Sequence, residues 1–230
     1  MKECILSAII GYILGMFLTA EPVAWFYTKK HISQIGTGNP GMANVMAQIG
    51  KKAGFTVLIG DILKTLIAMG VSYLLFRKMI GWDAVLYSGM GAIFGHNFPA
   101  WRKFQGGKGV TVTVTWLVIA LPVWGAAVSI VGGLITIWTG YLPLGAILIP
   151  LFALPFAFLT GGVKTGIFVL FSLLIMISRH YRGMIRIFQG VEKREFRKKE
   201  EVAETAENTE QPSFEDVVEE SLRSQQTKET

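Results

Sequence analysis

Cysteine is almost missing from this chain: Cys4 is the single one. That excludes an internal disulfide framework and a cysteine-based zinc site. Charge is also scarce, at 17% of residues, where an ordinary soluble domain carries about 25%. Acidic side chains are the scarcest of all over most of the length. Residues 1–191 hold four of them, Glu3, Glu21, Asp61 and Asp83, against 15 basic ones, a net of +11. Residues 192–230 reverse the sign, with 12 acidic and 7 basic side chains, a net of −5 that completes the overall +6. Between Val110 and Val163 there is no charged residue over 54 positions. No soluble core tolerates such a run, and one helix cannot contain it.

What is present is apolar, 51% by count, in runs long enough for lipid. A bilayer span needs about 20 mostly apolar residues. Residues 4–20, 54–76 and 163–179 each read as one span, and 85–100 as a shorter one ending on His96 and Pro99. Met1-Lys2 before an apolar run is also the pattern of a signal peptide, but the later runs keep the chain in the membrane either way. Loop charge sets the rest, because cytoplasmic loops collect Lys and Arg. Lys29, Lys30, Lys51 and Lys52 mark one such loop. Arg102, Lys103 and Lys108 mark a second, and Arg179, Arg182, Arg186, Lys193 and Arg194 a third. All three share a side only if residues 110–163 cross an odd number of times. Three crossings, with breaks near Leu121-Pro122 and Thr139-Gly140, satisfy that. The expectation is an all-α, polytopic membrane protein of about seven transmembrane helices, with the N-terminus outside and the motif loops and C-terminus cytoplasmic. Arg77, Lys78, Lys2 and Lys164 run against the bias. The pairs Gly11/Gly15, Gly91/Gly95 and Gly162/Gly166 have the small-xxx-small spacing of closely packed helices.

The last segment, 194–230, is rich in Glu, Lys, Gln and Thr. It cannot bury enough apolar surface to offset its chain entropy. It is expected to be a disordered tail, with one turn-prone amphipathic patch at residues 214–222, following a membrane domain of residues 1–193.

Polar residues at membrane depth are costly and therefore invite a functional reading. The first cluster is Gly36-Thr37-Gly38-Asn39-Pro40-Gly41-Met42-Ala43-Asn44. It reads equally as a tight interhelical turn and as a wall of neutral donors. The second is Gly95-His96-Asn97-Phe98-Pro99 followed by Lys103-Phe104-Gln105-Gly106-Gly107-Lys108-Gly109-Val110. A lysine among glycines offers backbone amides and a mobile cation to a phosphate. It is not a Walker A loop, since that spacing is absent. His96 stands beside it as a general base or hydrogen-bond donor. The third, Arg179-His180-Tyr181-Arg182 through Gly190-Val191-Glu192, reads by itself as a basic helix end at lipid headgroups. Asp61 and Lys64, three apart on one helix face, read either as a structural pair or as the polar end of a site.

In this order the clusters resemble the PlsY family, the bacterial acyl-phosphate:glycerol-3-phosphate acyltransferases, over about residues 5–193. The middle motif matches the family's G-H-x-F-P and F-x-G-G-K-G-V without a break. Residues 36–45 resemble G-S-G-N-x-G-x-x-N-V, with Thr37 for serine, and Asp61 to Lys64 resemble D-x-x-K. Further positions depart, among them Val191 in the third motif, which ends Gly-Thr-Glu in the family. Ala47 stands where family members commonly have arginine. Tyr181 and Gly183 replace the arginine and asparagine of His-Arg-x-Asn. Loss of a charge-assisted phosphate contact costs about 1.5–3 kcal/mol.

The resemblance implies a seven-span plasma-membrane enzyme that moves a fatty acyl group from acyl phosphate to glycerol 3-phosphate. It implies His96, Asn97 and Lys108 as catalytic residues. Thr37, Gly38, Asn39, Asn44, Lys64, Lys103, Gly106, Gly107, Gly109, His180 and Glu192 would bind substrate or phosphate. The implied partners are the two substrates and the lipid bilayer, with no nucleic acid, metal or nucleotide cofactor. The departures motivate a rival reading: an impaired family member that binds or transports a phosphorylated metabolite or anionic lipid.

Overall fold

The computed structural model describes residues 1–192 and 194; apart from Arg194, the tail expected to be disordered, with its 214–222 patch, lies outside the described residues. Regular structure among them is helical throughout: α1 (Lys2–Gly15), α2 (Ala20–Thr28), α3 (Met42–Gln48), α4 (Lys51–Ile80), α5 (Asp83–Asn97), α6 (Val110–Ala120), α7 (Pro122–Thr139) and α8 (Leu142–Phe188), with short 3₁₀ turns at Ile32–Gln34 and Ala100–Arg102. Four stretches are long and apolar enough to cross a membrane: Lys2–Thr28 (α1 and α2 together), α4, α7 and α8.

Local chemistry explains the boundaries. Arg77 and Lys78 occupy the last turn of α4, and Asp83 the first turn of α5, each complementing the helix dipole. Pro122 opens α7 at a position where its missing N–H costs nothing, and Gly140 closes it in the left-handed conformation. These are the breaks expected from the sequence. Inside the uncharged region the hydroxyl of Thr113 is buried without a partner, while five others are satisfied internally: Thr115, Ser129, Thr136, Thr139 and Thr160 each donate to the carbonyl four residues back. That is how polar side chains survive where no water competes.

Gly162 corrects the sequence reading. It was expected to pair with Gly166 in helix packing, but its φ of 79° interrupts α8 instead. A Cβ on Gly166 would meet the Phe158 ring across this break rather than another helix. The other two pairs do pack together. A Cβ on Gly11 would lie 1.9 Å from the Ser88 carbonyl oxygen and one on Gly15 2.4 Å from that of Ala92. On the facing helix, Gly91 and Gly95 meet the Ala8 and Tyr12 carbonyl oxygens at 2.1 and 2.2 Å in the same sense. α1 and α5 therefore touch backbone to backbone.

α5 is buried on nearly every face, and Gly89 admits the fully buried Trp116 of α6. Its 15 residues and the 11 of α6 rise only about 22 and 16 Å, short of a hydrocarbon core of about 30 Å. Large apolar side chains such as Ile9, Ile13, Ile59, Leu63 and Ile67 face outward, as expected when lipid is the solvent. Trp82, Leu121, Pro122 and Gly161 line one cavity, which gathers the α4–α5 turn, the α6–α7 turn and the α8 break at one end. At the opposite end Arg179 meets the loop before α6 and Arg194 stacks on Tyr141.

The close approach predicts an asymmetry between glycines. Gly11→Ala lowers the thermal midpoint in detergent or nanodiscs, with overpacking costing about 1–3 kcal/mol. Gly70→Ala, where nothing lies within 4 Å of the added carbon, leaves it unchanged or raises it, since alanine favours the helix by up to about 1 kcal/mol.

Candidate active site

The chain bends between α1 and α2, which frees the Met16 and Phe17 carbonyls from helical bonding. Trp101 Nε1 donates to the Met16 oxygen at 2.9 Å. Lys64, from the middle of α4, takes the Phe17 oxygen at 2.7 Å. The same ammonium lies 2.8 Å from Asp61 Oδ1 and 2.9 Å from His96 Nδ1. The ammonium thus has two hydrogen-bond partners and a carboxylate against it, and Asp61 accepts a bond from Thr19 Oγ1 at 3.0 Å. Asp61 and Lys64 are only 2% and 6% exposed, a depth at which a charged pair persists only when fully hydrogen-bonded. The sequence left this pair open between structure and site. It is internal: the Lys64 ammonium is buried and turned to protein partners, contrary to the expectation that it binds a substrate phosphate.

The ammonium donates to Nδ1 of His96, so the ring's own proton lies on Nε2. Nε2 is the atom nearest Gly107: a Cβ there would stand 2.1 Å from it. Gly106 is equally tight, 2.1 Å from the His96 carbonyl oxygen, and one on Gly109 would reach Asn97 Nδ2 at 2.3 Å. The glycines thus permit the loop to lie directly on His96 and Asn97. Two of them do not offer amides to a ligand, contrary to the expected cradle. Gly106 N–H donates to the Asn97 carbonyl at 3.0 Å and Gly107 N–H to that of His96 at 2.9 Å. Their carbonyls accept from Arg179, at 2.8 and 3.0 Å respectively. The side chain of Asn97 donates to the Ile93 carbonyl at 2.8 Å and keeps a buried Oδ1 without a partner.

Arg179 is the residue that sequence reasoning assigned to headgroups and that belongs here. His180 follows it, 1% exposed, with Nδ1 3.0 Å from the Met176 carbonyl. That contact makes Nδ1 the donor and leaves the buried Nε2 unpartnered. Lys108 is half-buried; Lys103 is exposed at the loop surface, in a left-handed conformation with φ 52°.

The first motif forms its own unit. Asn44 Oδ1 accepts from the Thr37 N–H at 3.0 Å, and its Nδ2 donates to the Ile35 and Asn39 carbonyls at 3.0 and 3.1 Å. Asn44 therefore folds the loop, and its amide is spent there rather than on substrate. Thr37 is exposed, Gly38 and Asn39 half-buried. Among the described residues no hydrogen bond joins this loop to His96. Glu192, expected in the site, is instead ion-paired with Arg186 at the end of α8. Ala47 is exposed. Gly183 is buried, and a Cβ on it would come within 2.6 Å of Pro143, so an asparagine could not sit there unless Pro143 moved. No group of three or more His, Cys, Asp or Glu side chains converges on a metal-sized point among the described residues.

Residues 5–190 match the profile of the family described as glycerol-3-phosphate acyltransferase. Glycerol-3-phosphate acyltransferase 1 of Lactobacillus johnsonii is 35% identical over 188 residues, covering 82% of this chain and 90% of its own. Its counterpart in Halalkalibacterium halodurans is 34% identical over 200 residues, covering 85% and 97%. Among solved structures, the glycerol 3-phosphate form of PlsY (YgiH), described as an integral membrane glycerol 3-phosphate acyltransferase, aligns with a TM-score of 0.75 at 27% identity, covering 87% of this chain and 98% of that one. The lysophosphatidic acid form gives 0.71 at the same identity, covering 83% and 94%. With a family profile matched over residues 5–190 and relatives 34–35% identical along nearly their whole length, the chain belongs to the glycerol-3-phosphate acyltransferase family of PlsY and is an integral membrane acyltransferase.

Proposed function

We propose that this enzyme transfers a fatty acyl group from an acyl phosphate to the primary hydroxyl of glycerol 3-phosphate, releasing 1-acyl-glycerol 3-phosphate and inorganic phosphate. The hydroxyl oxygen attacks the acyl carbon, the bond from that carbon to the phosphate oxygen breaks, and the hydroxyl proton leaves on the phosphate. Acyl phosphate is already activated, so the protein's task is positioning and charge neutralisation. The observation that carries this reading is the fixed His96, locked by Lys64 from behind and presenting an Nε2–H beside the glycine loop that bears Lys108.

In this mechanism Lys108 holds a substrate phosphate together with the amides that open α6, since the first N–H groups of a helix lack helical acceptors. His96 Nε2–H and Asn97 face the developing oxyanion or the hydroxyl. Thr37, Gly38 and Asn39 supply a polar wall, His180 lines the phosphate side, and exposed Lys103 attracts anionic substrates. The acyl chain lies among the helices. The short α5 and α6 set this chemistry below the membrane surface. Seven spans, with an outer N-terminus and cytoplasmic motif loops, follow the basic residues. The solved neighbours described with glycerol 3-phosphate and with lysophosphatidic acid support the acceptor and the product.

A second reading is a binding protein without turnover. It rests on Ala47 and on Gly183, whose place against Pro143 leaves no room for the family's asparagine.

Three measurements decide among these. Purified protein given acyl phosphate releases phosphate only when glycerol 3-phosphate is present, and Lys108→Ala lowers kcat/KM about 10- to 150-fold, the loss of one charge-assisted bond. Binding of both substrates without release of phosphate establishes the second reading instead. Lys64→Met strands the buried Asp61 carboxylate and destabilises the fold by about 3–5 kcal/mol. Asp61→Leu combined with Lys64→Met recovers stability but not activity, because the His96 tautomer is no longer set; recovered activity would remove Lys64 from the mechanism. In a Cys4→Ser background, Lys103→Cys reacts with a membrane-impermeant thiol reagent only after the cytoplasmic face is opened, whereas Lys78→Cys reacts in intact cells. The reverse pattern inverts the topology.

A further inference from the structure

Gly106 and Gly107 have no side chains to anchor them, and any side chain there would collide with His96. The loop can be held only by its four backbone groups. The two amides go to the carbonyls that end α5. The two carbonyls go to one side chain from another helix, Arg179 of α8, through Nη2 at 2.8 Å and Nε at 3.0 Å. A planar guanidinium fork can serve two consecutive carbonyls at once, which a lysine ammonium, a point charge on a flexible stem, does poorly. The same guanidinium lies 5.4 Å from the centroid of the Phe98 ring, at the start of this loop, within cation–π range. It is half-buried, and among the described residues it has no carboxylate partner within ion-pair distance.

We infer that Arg179 is the positioning residue of the phosphate-binding loop, holding Gly106-Gly107 against His96 so that Lys108 and the start of α6 face the substrate, without itself touching substrate. The inference rests on the proposed acyl transfer for its kinetic consequence but not for its structural one. It gives the last helix a role in the site beyond His180, because the residue that precedes His180 sets the loop that carries Lys108.

The experiment uses the full chain in nanodiscs. In hydrogen exchange, the amides of Gly106 and Gly107 are protected in the wild type and lose that protection in Arg179→Gln. They keep it in Arg182→Gln, whose exposed guanidinium, among the described residues, bonds only its neighbour's hydroxyl at 3.0 Å. This arm needs no turnover, so it stands even if the acyl-transfer reading fails. In phosphate release, Arg179→Gln lowers kcat about 10- to 100-fold while KM for glycerol 3-phosphate changes by less than about threefold, and Arg179→Lys recovers little of it. Arg179→Gln combined with Lys108→Ala is no more than about threefold worse than Lys108→Ala alone, as expected when one residue acts through the other. Guanidinium added to Arg179→Ala restores part of the rate. Unchanged protection in Arg179→Gln overturns the inference. So do losses that multiply with Lys108→Ala, or a raised KM at unchanged kcat, either of which makes Arg179 a substrate ligand.

Discussion

The two hydrogen bonds and one ion pair of the Lys64 ammonium are the constraint on which the site depends. An ammonium deep in an apolar helical body costs free energy unless polar and charged partners surround it. Its partners come from three separate places: the freed Phe17 carbonyl at the bend after α1, Asp61 one turn earlier on α4, and His96 near the end of α5. Satisfying one charge therefore fixes the bend, ties three helices together and selects the tautomer of His96. A histidine fixed in this way is a directional donor rather than a free ring, which suits chemistry that needs charge stabilised at one point.

That arrangement is possible only because α1 and α5 approach so closely. Glycine on both faces lets carbonyl oxygens of each helix rest against the backbone of the other. In lipid there is little hydrophobic gain from hiding leucine against leucine, so packing of small residues carries association. The same device recurs at Gly106 and Gly107, where missing side chains let a loop rest on His96. A loop without side chains must then be held through its peptide groups, and α5 and Arg179 divide that work.

The helical body was readable from hydropathy and loop charge. The breaks at Pro122 and Gly140 were readable from turn chemistry, because proline and glycine act locally. Gly162 was not, since spacing alone fits both a packing pair and a left-handed break. The motif loops stood out because glycine, asparagine and lysine are unusual beside apolar runs. Their inner wiring did not. Asn44 is as apt to bind a ligand as to fold its own loop, and only the three bonds it makes within residues 35–44 decide between them. Arg179 has the composition of a headgroup anchor and becomes a loop clamp only when α8 is laid beside residues 106–107.

By itself the sequence determined the solvent of this protein, the order of its helices and where its polar motifs interrupt the apolar runs. These follow from free energies of transfer and local backbone preference, which each residue carries with it. Only the tertiary structure decided which of the polar groups are spent on the fold and which are left to face a substrate. Hydrogen-bond capacity is finite, and where it goes depends on neighbours far apart in the chain: Lys64 with Phe17 and His96, Arg179 with Gly106 and Gly107.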